Sequence, residues 1–429
     1  MRNPFTAVIG GKMNIAAAQS GGPTCAINAS LAGIFTEASK NPEIDKIYGS
    51  INGIEGIING ELVDLRTIIR SNEDLELLKL TPSTVLGSCR YKLPENDDKV
   101  YEKILNTFKK NGIDMFFYIG GNDSMDTVLK LSEYFRKNNI AIKVVGIPKT
   151  IDNDLMCTDH TPGFGSAAKY VAATLQEITR DSSVYSVKSV TIVEIMGRDA
   201  GWLAASACVL KANDENAPHL IYLPEAPFSI ERFLEDVNRM LGEHKAVIIA
   251  VSEGLKLSGG EYAAEGFQSG ANDSFGHKYL SGIGKCLENI VREEIGCKVR
   301  SIELNVMQRC ASHIASKTDI DESVKIGEEA VKAAVEGMTG KMMAFKRISD
   351  RPYFSEIVLV DANEVANKEK LFPKEWINNQ GNNVTSQALD YFLPLIQGEL
   401  NILMKNGMPV HFKICLLYTS PSPRDKRQS

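Results

Sequence analysis

Six short runs of β-branched and other apolar residues recur along the chain, at Met13–Ala18, Ile113–Ile119, Ile142–Ile147, Ser189–Ile195, Ala246–Val251 and Val299–Leu304. A run that is apolar on both faces suits a strand buried on both faces, as in a parallel sheet covered by helices. Helical periodicity follows several of them, at Ser124–Arg136, Ser166–Arg180, Arg198–Val209 and Ile230–Glu243, where helices are expected. Strand and helix in alternation predict an α/β fold: two doubly wound, Rossmann-like αβα halves with a cleft between them.

Polar and glycine clusters fall directly after five of the runs. They are Gly21-Gly22, Gly120-Gly121-Asn122-Asp123-Ser124, Pro148-Lys149-Thr150-Ile151-Asp152-Asn153-Asp154, Met196-Gly197-Arg198 and Ser252-Glu253-Gly254. In an open α/β sheet that position is the ligand-binding edge. Converging on one cleft, the five clusters would build an active site.

A length of 429 residues suits two or three domains, and 43% hydrophobic with 24% charged residues excludes a disordered or fibrous chain. The formal charge of −6 disfavours a nucleic-acid partner, so anionic ligands need a local basic pocket. No apolar run is long enough to span a bilayer, and Met1–Ala18 is interrupted by Lys12, which marks a first strand and not a signal peptide. The eight cysteines form no C-x-x-C pair and no metal-ligand spacing with the histidines. Reduced structural thiols in a cytoplasmic protein without a membrane partner are expected. Residues 415–429 break from the strand-helix pattern and are expected to be a disordered or foreign tail.

Glycine lets backbone N–H groups close on an anion, and a following helix N-terminus adds positive potential. Gly21-Gly22 and Gly120-Gly121 are therefore candidate phosphate sites, although a tight turn accounts for either one alone. Neither matches G-x-G-x-x-G or G-x-x-x-x-G-K-[ST], which disfavours dinucleotide and P-loop sites. The loop Pro148–Leu155 sets Asp152 and Asp154 two residues apart, just after Lys149. It suits proton abstraction and metal or phosphate handling, with an Asx-turn as the competing account. Phosphoryl transfer needs a base and cations around the transferring group. Asp152 suits the first role; Lys149, Arg90, Arg198, Arg300 and Arg309, all near expected strand ends, suit the second.

Taken in order, Gln19–Pro23, Gly87-Ser88-Cys89-Arg90-Tyr91, Gly120–Ser124, Pro148–Asp154, Met196–Arg198, Ser252–Gly254 and Met307-Gln308-Arg309 resemble the motif series of the phosphofructokinases, over Met13 to Lys413. That resemblance implies phosphoryl transfer to fructose 6-phosphate. It implies donor phosphates against Gly22, Gly121, Asn122 and Ser124, with Arg90 helping to neutralise the transferring group. Thr150, Asp152 and Asp154 would form the catalytic loop, with Asp152 the base for the sugar 1-hydroxyl. Met196, Gly197, Arg198, Glu253, Arg300 and Arg309 would hold the sugar phosphate together with Thr150 and Asp154. In the family Arg300 can be lent by a neighbouring subunit, which implies a homodimer or homotetramer. The implied division is a donor domain at 1–165, a fructose 6-phosphate domain at 166–307 and a segment at 308–414 that completes both.

Two positions bear on the donor. ATP-using members carry glycine where this chain has Asp123 and Lys149, whereas pyrophosphate-using members carry Asp and Lys. A carboxylate at 123 would occupy the space of a nucleotide α-phosphate and oppose its charge, while Lys149 can stabilise a small donor. Pyrophosphate is the expected donor. Mg2+ is the implied cofactor, held by Asp123 and Asn122, the latter a neutral amide where an aspartate is common. Val306 likewise stands where a histidine or tyrosine often contacts the sugar. The alternatives are an ATP-dependent phosphofructokinase, a relative of the NAD and lipid kinases, and a non-catalytic sugar-phosphate sensor. Met196-Gly197-Arg198 and Arg309 count against the second, and the presence of Asp152 with Arg198, Arg300 and Arg309 counts against the third.

Overall fold

The computed structural model describes residues 12–95, 97–213, 215–264 and 282–414. The strands of its two larger sheets are β1 (Met13–Gln19), β2 (Ile44–Ser50), β3 (Leu62–Asp64), β4 (Ile113–Gly120), β5 (Lys143–Pro148), β6 (Ser189–Ile195), β7 (Leu220–Tyr222), β8 (Ala246–Ser252), β9 (Lys298–Glu303), β10 (Lys341–Asp350) and β11 (Tyr353–Asp361). A seven-stranded sheet has the order β11-β10-β5-β4-β1-β2-β3, and a four-stranded sheet has the order β7-β8-β6-β9. Pairing is parallel throughout the smaller sheet and the centre of the larger one. The β2–β3 and β10–β11 pairs are antiparallel.

Alternation of side chains along each central strand explains why the runs are mostly apolar on both faces. Ile15 and Ala17 of β1 pack with Ile27, Leu31 and Phe117, whereas Ala16 and Ala18 face a second core with Phe108, Phe116 and Phe135. In the smaller sheet Val193 and Ile195 face Phe164 and Val171, and Val190 and Ile192 face Phe233 and Leu287. Each half is thus a helix-sheet-helix sandwich. On the larger sheet, helices Ile27–Lys40 and Lys317–Val335 approach so closely that a Cβ on Gly33 would lie 2.0 Å from the Val324 carbonyl oxygen.

The six expected strands are present with ends shifted by no more than about a residue or two. One helix differs: Arg198–Val209 becomes a short helix at Trp202–Ala205 followed by a 3₁₀ stretch at Ser206–Asn213. The Ser206 hydroxyl donates to the Leu203 carbonyl at 2.6 Å, an i−3 contact that suits the tighter winding. The β10–β11 hairpin was not foreseen. It joins the larger sheet through Lys341↔Val145 and Met342↔Gly146, while Ser386–Phe392 packs in the core beside the smaller sheet, with Phe392 5.9 Å from Phe164.

Among the described residues no helix is long and apolar enough to cross a membrane. The described cysteines carry free thiols, with Cys25, Cys89, Cys208 and Cys286 buried. Cys415 and the expected tail at 415–429 lie outside the described residues.

Candidate active site

In the larger sheet β1 lies between β4 and β2, so the chain leaves β1 and β4 in opposite directions at the carboxyl edge. Such a switch point opens a crevice. The loops after β1, β4 and β5 line a cavity of about 710 Å3 that is completed by the loop after β6 and by Arg309. Of the residues expected at the site, all but Glu253 and Arg300 line it.

On the donor side, Gly21 adopts φ +74°, and a Cβ there would lie 3.4 Å from Lys149 Nζ. A Cβ on Gly22 would lie 3.1 Å from Arg309 Nη1, so two cations from distant segments close over this turn. Gly121 caps the helix Asn122–Lys137, which aims its N-terminus at the cavity, and Ser124 N–H donates back to the Gly121 carbonyl at 3.0 Å. Asp123 stands in the first turn and pairs with Lys92 at 2.9 Å. Asn122 has its amide engaged at both ends: Oδ1 accepts from Asn367 N–H and Nδ2 donates to the Lys368 carbonyl, each at 2.5 Å.

The loop Pro148–Leu155 is fixed by its own hydrogen bonds and by Thr161. Asp152 N–H donates to Thr150 Oγ1 at 3.1 Å, Thr161 Oγ1 donates to the Thr150 carbonyl at 2.7 Å, and Asn153 adopts φ +55°. Asp152 and Asp154 therefore both border the cavity. Burial, reinforced by the charge of Asp154, raises the Asp152 pKa to about 6 against the pull of Arg198, Lys149 and Arg309. Burial raises Asp154 as well. Lys149, only 2% exposed, is lowered to about 7 by burial, with Asp152 opposing and Arg309 adding to the shift. The geometry offers a carboxylate poised to accept a proton near neutrality beside cations for an anionic ligand.

The opposite wall is a braced turn. Gly197 and Arg198 have φ of +139° and +50°, and Glu253 Oε1 accepts both of their N–H groups at 3.2 and 3.1 Å. Any side chain at 254 would collide with the Arg198 carbonyl oxygen, 1.7 Å from the Cβ position, so Gly254 is required behind the turn. Glu253 thus sits behind the wall and orients it; burial and then Asp152 push its pKa to about 8. Met196 N–H donates to Gln308 Oε1 at 3.2 Å, which ties the turn to the segment bearing Arg309. Burial and the nearby Arg90 hold Arg309 below the usual arginine range.

Arg300 departs from the expected strand-end position. It is the third residue of β9, is partly exposed and pairs with Asp181 at 3.4 Å. Several cavity residues were not anticipated, among them Lys92, Asp199, Tyr262, Asn367 and Glu369. Lys92 directly follows the Gly87–Tyr91 motif, so a cation one residue past that motif is a signal the sequence offers. Asn367 and Glu369 carry no local signal, because they lie shortly after β11 and meet Asn122 and Leu155 only through the fold, more than 200 positions away in sequence.

Residues 14–334 match the phosphofructokinase family. The chain is 38% identical over 397 residues to the pyrophosphate–fructose 6-phosphate 1-phosphotransferase of Halomonas elongata, covering 91% of this chain and 94% of that one. It is 39% identical over 406 residues to the protein of the same name from Xanthomonas campestris pv. campestris, covering 94% and 96%. The crystal structure of a pyrophosphate-dependent phosphofructokinase from Marinobacter aquaeolei superimposes with a TM-score of 0.83 at 36% identity, covering 94% of this chain and 96% of that one. With the motif order of the sequence gathered around one cleft and relatives aligned over nearly the full length, the chain belongs to the phosphofructokinase family.

Proposed function

We propose that the chain is a pyrophosphate-dependent 6-phosphofructokinase that converts fructose 6-phosphate and pyrophosphate to fructose 1,6-bisphosphate and phosphate, reversibly, in glycolysis and gluconeogenesis. The observation that carries the choice of donor is the pair Asp123 and Lys149, both lining the donor side of the cavity. A nucleotide's inner phosphate would meet Asp123 as a like charge, an arrangement that costs several kcal/mol when desolvated. A donor of two phosphates ends before that point and gains Lys149.

In this mechanism Asp152 removes the proton of the sugar 1-hydroxyl as that oxygen forms its bond to the nearer phosphorus of pyrophosphate. The bridging P–O bond breaks, and its electron pair leaves on inorganic phosphate. In the reverse direction the protonated Asp152 returns its proton to the sugar oxygen. Lys149 and Arg90 neutralise the transferring group, and Arg198 and Arg309 with Met196 and Gly197 hold the sugar phosphate. Gly22, Gly121 and Ser124 receive the donor phosphates.

Mg2+ fits this donor side, since it is commonly held by one or two carboxylates plus substrate phosphates. Asp123 would hold it, because the Asn122 amide is committed to the backbone at 367 and 368. When bound, the ion would neutralise charge on the donor oxygens.

Residues 1–165 would carry the donor site, 166–307 the sugar-phosphate site, and 308–414 would complete both. Arg300, outside the cavity of its own chain, would serve a neighbouring subunit in a cytoplasmic homodimer or homotetramer. A coupled assay of the purified chain with fructose 6-phosphate and either pyrophosphate or ATP tests the proposal. Turnover with pyrophosphate is expected to dominate, and faster turnover with ATP would overturn the donor assignment.

A further inference from the structure

The segment 367–372 carries no recognisable motif, yet hydrogen bonds tie it to segments on three sides of the cavity. Toward the donor side it exchanges two hydrogen bonds with the Asn122 amide, and Asn367 Nδ2 donates to Asp126 Oδ1 at 3.1 Å. Toward the catalytic loop, Glu369 bridges to Leu155, and Lys370 N–H donates to the Asp154 carbonyl at 2.7 Å. Toward the sugar side, Trp202 Nε1 donates to the Lys370 carbonyl at 2.9 Å. Phe372 N–H donates to Glu225 Oε1, which also accepts from Gly201 N–H, both at 2.8 Å.

At the centre of this strap the Lys370 ammonium makes three hydrogen bonds: to Asn153 Oδ1 at 3.2 Å, to the Thr158 carbonyl at 3.0 Å and to the Asp159 carbonyl at 2.8 Å. An ammonium has three hydrogens, so its donor capacity is fully used. Asn153 is the residue between Asp152 and Asp154, adopts a left-handed backbone that asparagine tolerates, and has its side-chain amide held at both ends from outside the loop. That support comes from Lys370 on its Oδ1 and from Tyr391, whose hydroxyl accepts from Asn153 Nδ2 at 2.9 Å. The charged groups that face Lys370 are Asp159, Asp154 and Arg347, and the Trp202 ring lies 4.8 Å from Nζ.

We propose that Lys370 is a positioning residue for phosphoryl transfer, holding Asn153 in its turn so that the flanking carboxylates of Asp152 and Asp154 both meet the cavity. The proposal rests on the transfer reaction inferred above. Lys370 acts through Asn153 and touches no reacting atom. A side chain that merely filled space would be replaceable by an apolar one of similar length, whereas this one satisfies an amide oxygen and two carbonyl oxygens of the loop and its continuation.

The test compares the full-length wild-type enzyme with Lys370→Met, which keeps an unbranched stem and removes the donors. With fructose 6-phosphate and pyrophosphate, kcat is expected to fall by about 100-fold, the scale of a misplaced catalytic group. Both KM values should stay within about threefold, since ground-state binding is left in place. Amide hydrogen exchange is read in parallel on the same proteins. It is expected to accelerate roughly tenfold across 150–155 while the larger sheet keeps its protection, which marks local and not global loosening. Asn153→Gly, which tolerates the left-handed backbone but cannot accept from Lys370, should reproduce the kcat loss even if Lys370→Met does not fold. A folded Lys370→Met enzyme with kcat near that of wild type, or unchanged exchange across 150–155, overturns the proposal. A wild-type enzyme without turnover would instead sink the reaction inferred above, and the exchange result would still decide the role of Lys370.

Discussion

The Lys149 ammonium donates to the Gly22 carbonyl oxygen at 2.6 Å, joining the catalytic loop to the glycine turn across 127 positions of sequence. The contact buries a cation between the two places where a donor phosphate and an acceptor hydroxyl are expected to meet. Burial makes that cation easy to discharge, and it makes the neighbouring Asp152 easy to protonate.

A narrow pH optimum follows. Asp152 must be ionised to act as a base, so kcat/KM should fall as pH drops through about 6, the value to which burial raises it. Lys149 must be protonated to offset donor charge, so kcat/KM should also fall as pH rises through about 7. The acid limb belongs to Asp152 and Asp154 as an interacting pair. Asp152→Ser should lower kcat by about 10²–10⁴-fold and shift the acid limb to that of Asp154 alone, while fructose 6-phosphate binding is retained. A rate that stays flat from pH 5 to pH 9 would contradict both assignments.

The parts of this site that could be read in advance are those whose signal is local. Buried parallel strands such as β1 and β4 announce themselves as continuous apolar runs, and the ligand-binding edge then follows from where those runs stop. β10 and β11 were not legible, because they lie at the margin of the sheet and carry charges such as Lys346, Arg347 and Glu356 among their apolar residues. Asn122 illustrates a different limit. Its place in the family's motif implies a metal ligand, with asparagine in place of the common aspartate, but its amide is occupied by the backbone of residues 367 and 368, a partnership with no trace in nearby sequence. Lys370 is hidden for the same reason, since its role is defined by three acceptors more than 200 positions away.

Donor choice can be shifted at Asp123. The carboxylate lies in the first turn of a cavity-facing helix and pairs with Lys92 at 2.9 Å, so removing it takes away a negative charge and opens space. Asp123→Gly should raise the ratio of ATP to pyrophosphate turnover by at least about tenfold, equivalent to relief of roughly 1.4 kcal/mol of repulsion. The two kcat/KM values measured in one preparation check this, and an unchanged ratio would mean that Asp123 does not exclude the nucleotide.

The sugar-phosphate wall depends on a turn that other residues hold. Arg198→Ala is expected to weaken fructose 6-phosphate binding by about 2–5 kcal/mol if its charge pair with the phosphate is desolvated. The turn itself should survive, because Glu253 accepts from the backbone N–H groups of residues 197 and 198, whatever side chain stands at 198. Calorimetric titration with the sugar phosphate alone separates this loss from any effect on the donor, and unchanged affinity would remove Arg198 from the site.

The network behind the catalytic loop has its own pH signature. His160 is buried between Asp159, 2.9 Å from Nδ1, and Glu322, 2.8 Å from Nε2, and it stacks on Phe345 at 4.4 Å. Burial alone would lower its pKa, but Glu322 and Asp159 overcome that and raise it to about 9 from 6.5. A folded value above the unfolded one stabilises fully below pH 6.5 and is lost as pH rises through about 9, a difference of about 3 kcal/mol at 1.36 kcal/mol per unit. Asp159 and Glu322 shift downward, so their share persists above their unfolded values near 4 and is lost in acid. The stability gap between wild type and His160→Gln should therefore be widest near pH 5–6.5 and shrink toward pH 9. Denaturant titrations across that range measure it; a gap that does not change with pH would mean that folding leaves the His160 pKa unchanged, and one that widens toward pH 9 would mean that His160 is neutral in the folded protein. Because the Asp159 carbonyl accepts from both Lys370 and Tyr391, which hold Asn153, the same alkaline loss should loosen the loop that carries Asp152.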